Sequence, residues 1–474
     1  MARKEIKAGI GYTVGNILIK SIAFLTLPIF SRLLSTEEFG VFNTYMAYEA
    51  ILAIIIGLGM YPSIRNAGID YESEIDTYVS TIVGITVVPL AVLTAGIFAA
   101  RSLFHFGSEY PWYVFACLIF HSFGTAMLAI SNARLALDYN YRKFMAYAAF
   151  NAIFNVVLSI ALIKLVFTSS REYGRIVGSA IPLILIGIEI FISLGKRGHF
   201  RVKPDMAKYA LGFGFPMIWH FMSQQIQSQF DRIAITNIVG AARTGIYSFS
   251  YSIAYVLQVI FYSAENVWGV WFYKKMKEED YPTIRKVSRI YMAVIAFLAI
   301  GMLVVENEVI HILGPKDYWE GSGIFIPILI GIFMLYLYTI PVGIEYYFKK
   351  TRYIAMMTII SAIVNIAGNL IFIPIYGYNA AAFTTFASYA FQFFVHWMIS
   401  KKVLKQHSIA QSVFRLSDIM LILMVVIISG VAVYFLNAHI LLKYVAFIIA
   451  SLIALWFYRK ELVFAFKEVI RKKK

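Results

Sequence analysis

Lys20, Glu49, Asp231, Arg232 and Glu265 are ionisable residues set inside long apolar runs. A charge placed there costs roughly 3 kcal/mol or more unless it faces protein or water, so each is a candidate for binding a ligand or carrying an ion. Lys20 extends Thr13 and Asn16 at steps of three and four, which puts the three on one wall of a helix. It is either a cation for an anionic ligand or a lysine that snorkels or pairs internally. His220, Gln224, Gln227 and Asp231 form one stripe, and Gln225, Ser228, Arg232 and Thr236 an adjacent one, so a broad face of this helix avoids lipid. The Arg232 guanidinium suits oxyanions because its fork binds two oxygens at once. Asp231 is either a carboxylate for ion exchange or, with Arg232, a structural site that fixes helix packing.

Tyr251, Tyr255, Gln258, Tyr262 and Glu265 follow at alternating steps of four and three. Such a face can stack and hydrogen-bond along its length, and tyrosines are equally common in helix packing and at bilayer interfaces. Glu265 and Glu49 are the candidate proton or cation sites, because burial raises a carboxyl toward the range where it exchanges a proton. Glu189 and Glu345 lie near span ends and read as ordinary interface residues. The polar stripes His121, Thr125, Asn132; Asn151, Asn155, Ser159; and Thr384, Ser388, Gln392, His396 read as hydrogen bonds between helices and stay outside the candidate site.

The sequence has no Walker A run, no H-E-x-x-H and no G-x-S-x-G, so nucleotide hydrolysis and zinc chemistry are not expected, nor is any cofactor. Cys117 is the single cysteine, which excludes an intramolecular disulfide.

The elements that position these residues are membrane helices. Hydrophobic residues make up 60% of the chain, charged residues 14%, and the mean hydropathy is +0.73. Apolar runs of about 20 residues recur from end to end and select helices, since backbone groups in hydrocarbon must be satisfied within each segment. The fold class is all-α, with about fourteen spans near 9–33, 40–64, 76–104, 111–135, 143–168, 172–195, 208–239, 244–273, 288–313, 323–348, 352–375, 378–400, 416–437 and 440–460. The first is read as a retained span, because its apolar stretch is too long for a signal peptide and carries Lys20.

With a cytoplasmic N-terminus, 32 of the 42 Lys and Arg residues fall inside, 8 outside and 2 (Lys20, Arg232) within spans. This asymmetry accounts for the +16 formal charge as positive-inside topology and argues against nucleic acid as a partner. Both termini are then cytoplasmic, and the tail Arg471, Lys472, Lys473, Lys474 suits anionic headgroups of membrane lipids.

The polar stretch 196–208, which contains Pro204, reads as a linker between two halves. Shifted by 205 residues, RLLSTEEFGVFNTYMAY falls on NIVGAARTGIYSFSYSI and places Gly40 on Gly245; shifted by 210, Arg142 falls on Arg352, Asn155 on Asn365 and Ser159 on Asn369. An even number of spans separates the copies, so they share orientation. The expected organisation is an N-terminal six-helix lobe (1–200), a C-terminal six-helix lobe (201–410), and a further helix pair with a basic tail (411–474).

The blocks KSIAFLTLPIFSRLLSTEEFGVFNTY and FDRIAITNIVGAARTGIYSFSY resemble the polysaccharide exporter family, the Wzx-type O-antigen and capsule flippases of the superfamily that also holds MurJ and the MATE drug exporters. The resemblance implies a non-enzymatic, alternating-access passage of a polyprenyl-diphosphate-linked oligosaccharide across the cell's inner membrane, with polysaccharide polymerase machinery as a possible partner and a proton or sodium ion as a possible driver. Lys20 and Arg232 would then hold the diphosphate, and Gln224, Gln227, Tyr255, Gln258 and Tyr262 the sugars. A lipid II flippase and a MATE-like cation-coupled drug exporter are the alternatives; a polymerase or ligase would need a sizeable outer loop, and none is long enough.

Overall fold

The computed structural model describes Gly15, Ile22 and residues 24–105, 107–409 and 413–470. Every regular element among them is a helix: α1 (Phe24–Leu33), α2 (Thr36–Gly57), α3 (Ser63–Asp70), α4 (Ile75–Ile85), α5 (Val87–Phe104), α6 (Trp112–Leu137), α7 (Tyr141–Leu165), α8 (Arg171–Arg197), α9 (Pro204–Ile238), α10 (Ala241–Lys277), α11 (Tyr281–Val304), α12 (Glu306–Leu313), α13 (Ser322–Tyr347), α14 (Thr351–Tyr376), α15 (Asn379–Gln406), α16 (Leu416–Leu436) and α17 (Ile440–Ile470), with short 3-10 turns at Glu72–Glu74 and Lys316–Gly321. Eleven spans among them are long and apolar enough to cross a membrane, which makes the chain an all-α, multi-pass membrane protein. Two further long helices, α9 with 35 residues and α15 with 28, fall outside those eleven; both carry polar stripes. Most of the first expected span, Lys20 included, lies outside the described residues.

Local chemistry explains where the helices begin and break. Ser35 and Glu38 form a reciprocal cap at the start of α2, with Ser35 Oγ accepting from the Glu38 amide at 3.1 Å and Glu38 Oε2 accepting from the Ser35 amide at 2.7 Å. The expected span 76–104 is divided at Thr86, whose hydroxyl turns back to the Val83 carbonyl at 2.7 Å. Pro89 lies three residues on; it supplies no amide to the ladder and crowds the carbonyl four residues back, which favours a break there. The expected span 288–313 ends early, at Val304, and α12 leaves it with Glu306 and Glu308 in its first turn. Pro204 opens α9 rather than lying in a linker, the position where its missing amide costs nothing.

The chain divides into two compact units, Met1–Gly245 and Ile246–Lys474. In the first, α8 packs against both α6 and α7, and α2 packs against α6 and α9. Small residues permit these approaches: a Cβ on Gly187 would lie 2.6 Å from the Gly124 Cα, and one on Gly178 2.4 Å from the Ser159 Cα. In the second unit α13 is central, packed on α15, while α17 is only 6% buried over its apolar window and turns the rest outward.

Candidate functional site

The sharpest polar feature of the first unit is built on α2, α6 and α9. Glu49 is 4% exposed, and its Oε1 accepts a hydrogen bond from Thr125 Oγ1 at 2.6 Å. Ser122, one turn before Thr125, donates to the Glu49 backbone carbonyl at 3.1 Å and fixes α6 against α2 at that level. Glu49, Tyr61, Thr125, Phe221, Gln224 and Gln225 share the wall of a cavity of about 320 Å³. A carboxylate, a hydroxyl and two amides offer hydrogen bonds to hydroxyl-rich ligands, and the carboxylate can also hold a cation or a proton.

Glu49 and Gln224 are thus brought together. Further along α9, Gln227 is 4% exposed, Asp231 0% and Arg232 7%. None of these three lines that cavity. Arg232 Nη1 donates to the Ser228 carbonyl at 2.8 Å, so part of its fork serves its own helix. Near it a threonine chain crosses three helices: Thr44 to Thr236 at 2.6 Å, and Thr236 to Thr244 at 2.7 Å.

In the second unit α10 carries Tyr255, Gln258, Tyr262 and Glu265 along one face. Tyr255 and Tyr262 remain 36% and 38% exposed. Gln258 is buried and hydrogen-bonded to the Tyr262 hydroxyl, while its Oε1 has no partner. Tyr262, Tyr273, Tyr291 and Tyr346 all lie within electrostatic reach of Glu265. Exposed phenol faces and an unsatisfied amide oxygen suit a ligand rich in hydroxyls.

The reading of Glu345 as an interface residue is corrected here. Glu345 and His396 are both 0% exposed, with Glu345 Oε1 2.7 Å from His396 Nδ1. The pair joins α13 to α15, and sequence places Glu345 beside the end of its helix without showing what packs over it. Glu189, by contrast, is half exposed and paired with Lys143 at 3.4 Å. The within-span count of two also passed over cations that lie inside described helices, Arg175 and Lys443 among them. Arg175 stands one turn into α8, and Lys443, 2% exposed in α17, binds Glu308 at 2.9 Å. Among the described residues no group of three or more His, Cys, Asp or Glu could hold a metal ion.

Residues 6–268, more than half of the chain, match the family profile described as polysaccharide biosynthesis protein. The chain belongs to that family. Two proteins of Haemophilus influenzae are similar over most of their length: Lsg locus protein 1, 22% identical over 77% of this chain and 90% of the relative, and an uncharacterized membrane protein, 24% identical over 76% and 89%. Among solved structures, the lipid II flippase MurJ in an inward closed conformation has a TM-score of 0.69 over 96% of this chain and all of MurJ, at 16% identity. An inward-facing MATE family multidrug resistance transporter of the MOP superfamily has a TM-score of 0.62 over 84% of this chain and all of that one, at 11% identity. This member of the polysaccharide biosynthesis family therefore has the fold shared by MurJ and the MATE transporters.

Proposed function

We propose that the chain carries a polyprenyl-diphosphate-linked oligosaccharide from the inner to the outer leaflet of the cell's inner membrane by alternating access. The observation that carries this reading is the cavity bounded by Glu49, Thr125, Gln224 and Gln225 within a membrane-spanning bundle of a polysaccharide biosynthesis protein. Its wall offers hydrogen bonds to sugar hydroxyls. On this reading the N-terminal lobe (1–200) and the C-terminal lobe (201–410) rock between inward and outward states without covalent chemistry, and the helix pair (411–474) is an addition to them. Lys20 and Arg232 receive the diphosphate; Gln224, Gln227, Tyr255, Gln258 and Tyr262 receive the sugars. Glu49, Asp231 and Glu265 carry the coupling proton or sodium ion, and both termini are cytoplasmic.

The test is a fluorescent polyprenyl-diphosphate oligosaccharide in proteoliposomes, scored by its accessibility in the outer leaflet. Arg232→Gln and Lys20→Ala are expected to lose most of the flipping, and Arg232→Lys to retain part of it because it keeps the charge without the fork. Wild-type rates in both charge-removing variants would move the diphosphate elsewhere. A second reading, export of an organic cation, is favoured by the Glu49 carboxylate in the cavity wall. Accumulation of lipid-linked oligosaccharide on the inner leaflet of a deletion strain separates the two, since loss of a drug exporter leaves that pool unchanged.

A further inference from the structure

Arg175 sits one turn into α8 with no carboxylate paired to it among the described residues. Its Nη1 donates to two side chains of α7, Asn155 Oδ1 at 2.5 Å and Ser159 Oγ at 2.8 Å. The guanidinium carbon lies 3.8 Å from the Phe30 ring centroid and 4.4 Å from that of Phe42. Its Nε is buried without a partner. One nitrogen is therefore held by α7, two aromatic rings attend the group, and the Nε/Nη2 edge is left. That edge is the side of the guanidinium that grips two oxygens of an oxyanion at once.

The second repeat supplies an internal comparison. The shift of 210 residues that places Asn155 on Asn365 and Ser159 on Asn369 also places Arg175 on Thr385. In the second unit this position is neutral and closed: Asn365 Nδ2 donates to Thr385 Oγ1 at 3.2 Å, Asn369 Nδ2 to Asn365 Oδ1 at 3.2 Å, and Thr384 Oγ1 to Asn369 Oδ1 at 2.5 Å. Helix packing at this site thus needs no charge. In the first unit the same α7 positions hold a cation that no acid among the described residues neutralises, inside a membrane-spanning helix, where an uncompensated charge is strongly disfavoured.

We propose that Arg175, positioned by Asn155 and Ser159, is a binding site for a phosphate oxyanion, which supplies the charge that the protein withholds. The phosphate comes from the diphosphate of the transported lipid or from the headgroup of a bilayer lipid; only the first source rests on the flippase reading.

The full-length protein, purified in detergent, is titrated with inorganic pyrophosphate while its thermal unfolding is followed. Wild type is expected to show a saturable rise in Tm, and Arg175→Gln to weaken the apparent affinity at least tenfold. Arg175→Lys falls between, since it keeps the charge and loses the fork. Asn155→Asp, which seats a carboxylate against the guanidinium, is expected to fold and to lose the response. If Arg175→Gln does not fold, the wild type and Asn155→Asp decide. No saturable response in folded wild type, a response to chloride alone, or an undiminished response in Asn155→Asp overturns the site. Loss of the response in Arg232→Gln with retention in Arg175→Gln also overturns it and leaves the Arg232 reading standing. Competition by a short-chain polyprenyl diphosphate identifies the transported lipid as the source. Loss of the pyrophosphate response in nanodiscs that contain phosphatidylglycerol identifies the headgroup; either result supports the site. Flipping is measured separately, so a wild type that binds pyrophosphate at Arg175 but flips nothing would sink the flippase reading alone.

Discussion

Gly40 and Gly245, which coincide when the sequence is shifted by 205 residues, press against each other's helix start. A Cβ on Gly40 would lie 1.8 Å from the Ala241 carbonyl oxygen, and one on Gly245 1.9 Å from that of Thr36. Thr36 and Ala241 are themselves equivalent under the same shift, so the contact is reciprocal, as a local two-fold between the starts of α2 and α10 would produce.

Neither glycine can accept a methyl group unless backbone moves. Gly40→Ala and Gly245→Ala are each expected to destabilise by about 3 kcal/mol or more, the upper end of overpacking, seen as lost folded protein and a lower Tm in detergent. Gly212→Ala and Gly323→Ala, which meet nothing within 4 Å, serve as controls and should not lower the Tm. A Gly40→Ala protein with wild-type Tm would show that this crossing is looser than described.

Topology follows from the Lys and Arg asymmetry. Reporters fused after Lys208, Lys277 or Lys402 should read as cytoplasmic, and reporters near Arg243 or Lys316 as external. Opposite sides would overturn the orientation.

Glu49 and Thr125 separate ion coupling from packing. Thr125→Val removes a hydrogen bond to the carboxylate, worth about 1.5–3 kcal/mol if that group is charged, and should lower the Tm. Glu49→Gln keeps the shape of the cavity wall and should abolish stimulation of transport by an imposed proton or sodium gradient. Full gradient stimulation in Glu49→Gln would remove Glu49 from the coupling site.

At the corner between α11 and α12, outside the spans, burial pushes the Glu306 carboxyl up to about 7 against the opposing hydrogen bond from Asn437. The folded state then holds this proton more tightly than the unfolded chain. Its stabilisation is complete below pH 4.5, the ordinary carboxyl value, and is lost as the pH rises through 7. The loss is on the order of 3 kcal/mol. Tm measured from pH 4.5 to 8 should therefore fall more steeply in wild type than in Glu306→Gln. Parallel profiles would assign the slope to other groups.

The apolar runs were legible because hydrocarbon leaves the backbone no choice but the helix; the cap at Ser35 and Glu38, which starts α2 at Thr36 rather than at residue 40, was not read from the sequence. The repeat was legible too, at Gly40 and Gly245, because close backbone contact restricts both sites to glycine. Partners distant in sequence were not. Glu345 stands two residues from the end of α13 and looks like a carboxylate at the water's edge; only the packing of α15 shows that His396 covers it. Arg175 passes as an interface arginine for the same reason, since the lack of an acid beside it among the described residues becomes visible only once α7 lies alongside. Lys20 lies outside the described residues, so its role rests on sequence alone.

α17 is clipped to the second unit near both ends: Lys443 meets Glu308 at 2.9 Å, and Glu468 meets Lys275 at 2.9 Å. The two clips are about 38 Å apart along the helix at 1.5 Å per residue, more than the thickness of a bilayer's hydrocarbon core. A helix held this way cannot answer a change in membrane thickness by tilting alone; it must carry α10 and the α11–α12 corner with it. Lipid chain length then acts on the second unit as a mechanical load, delivered through two ion pairs.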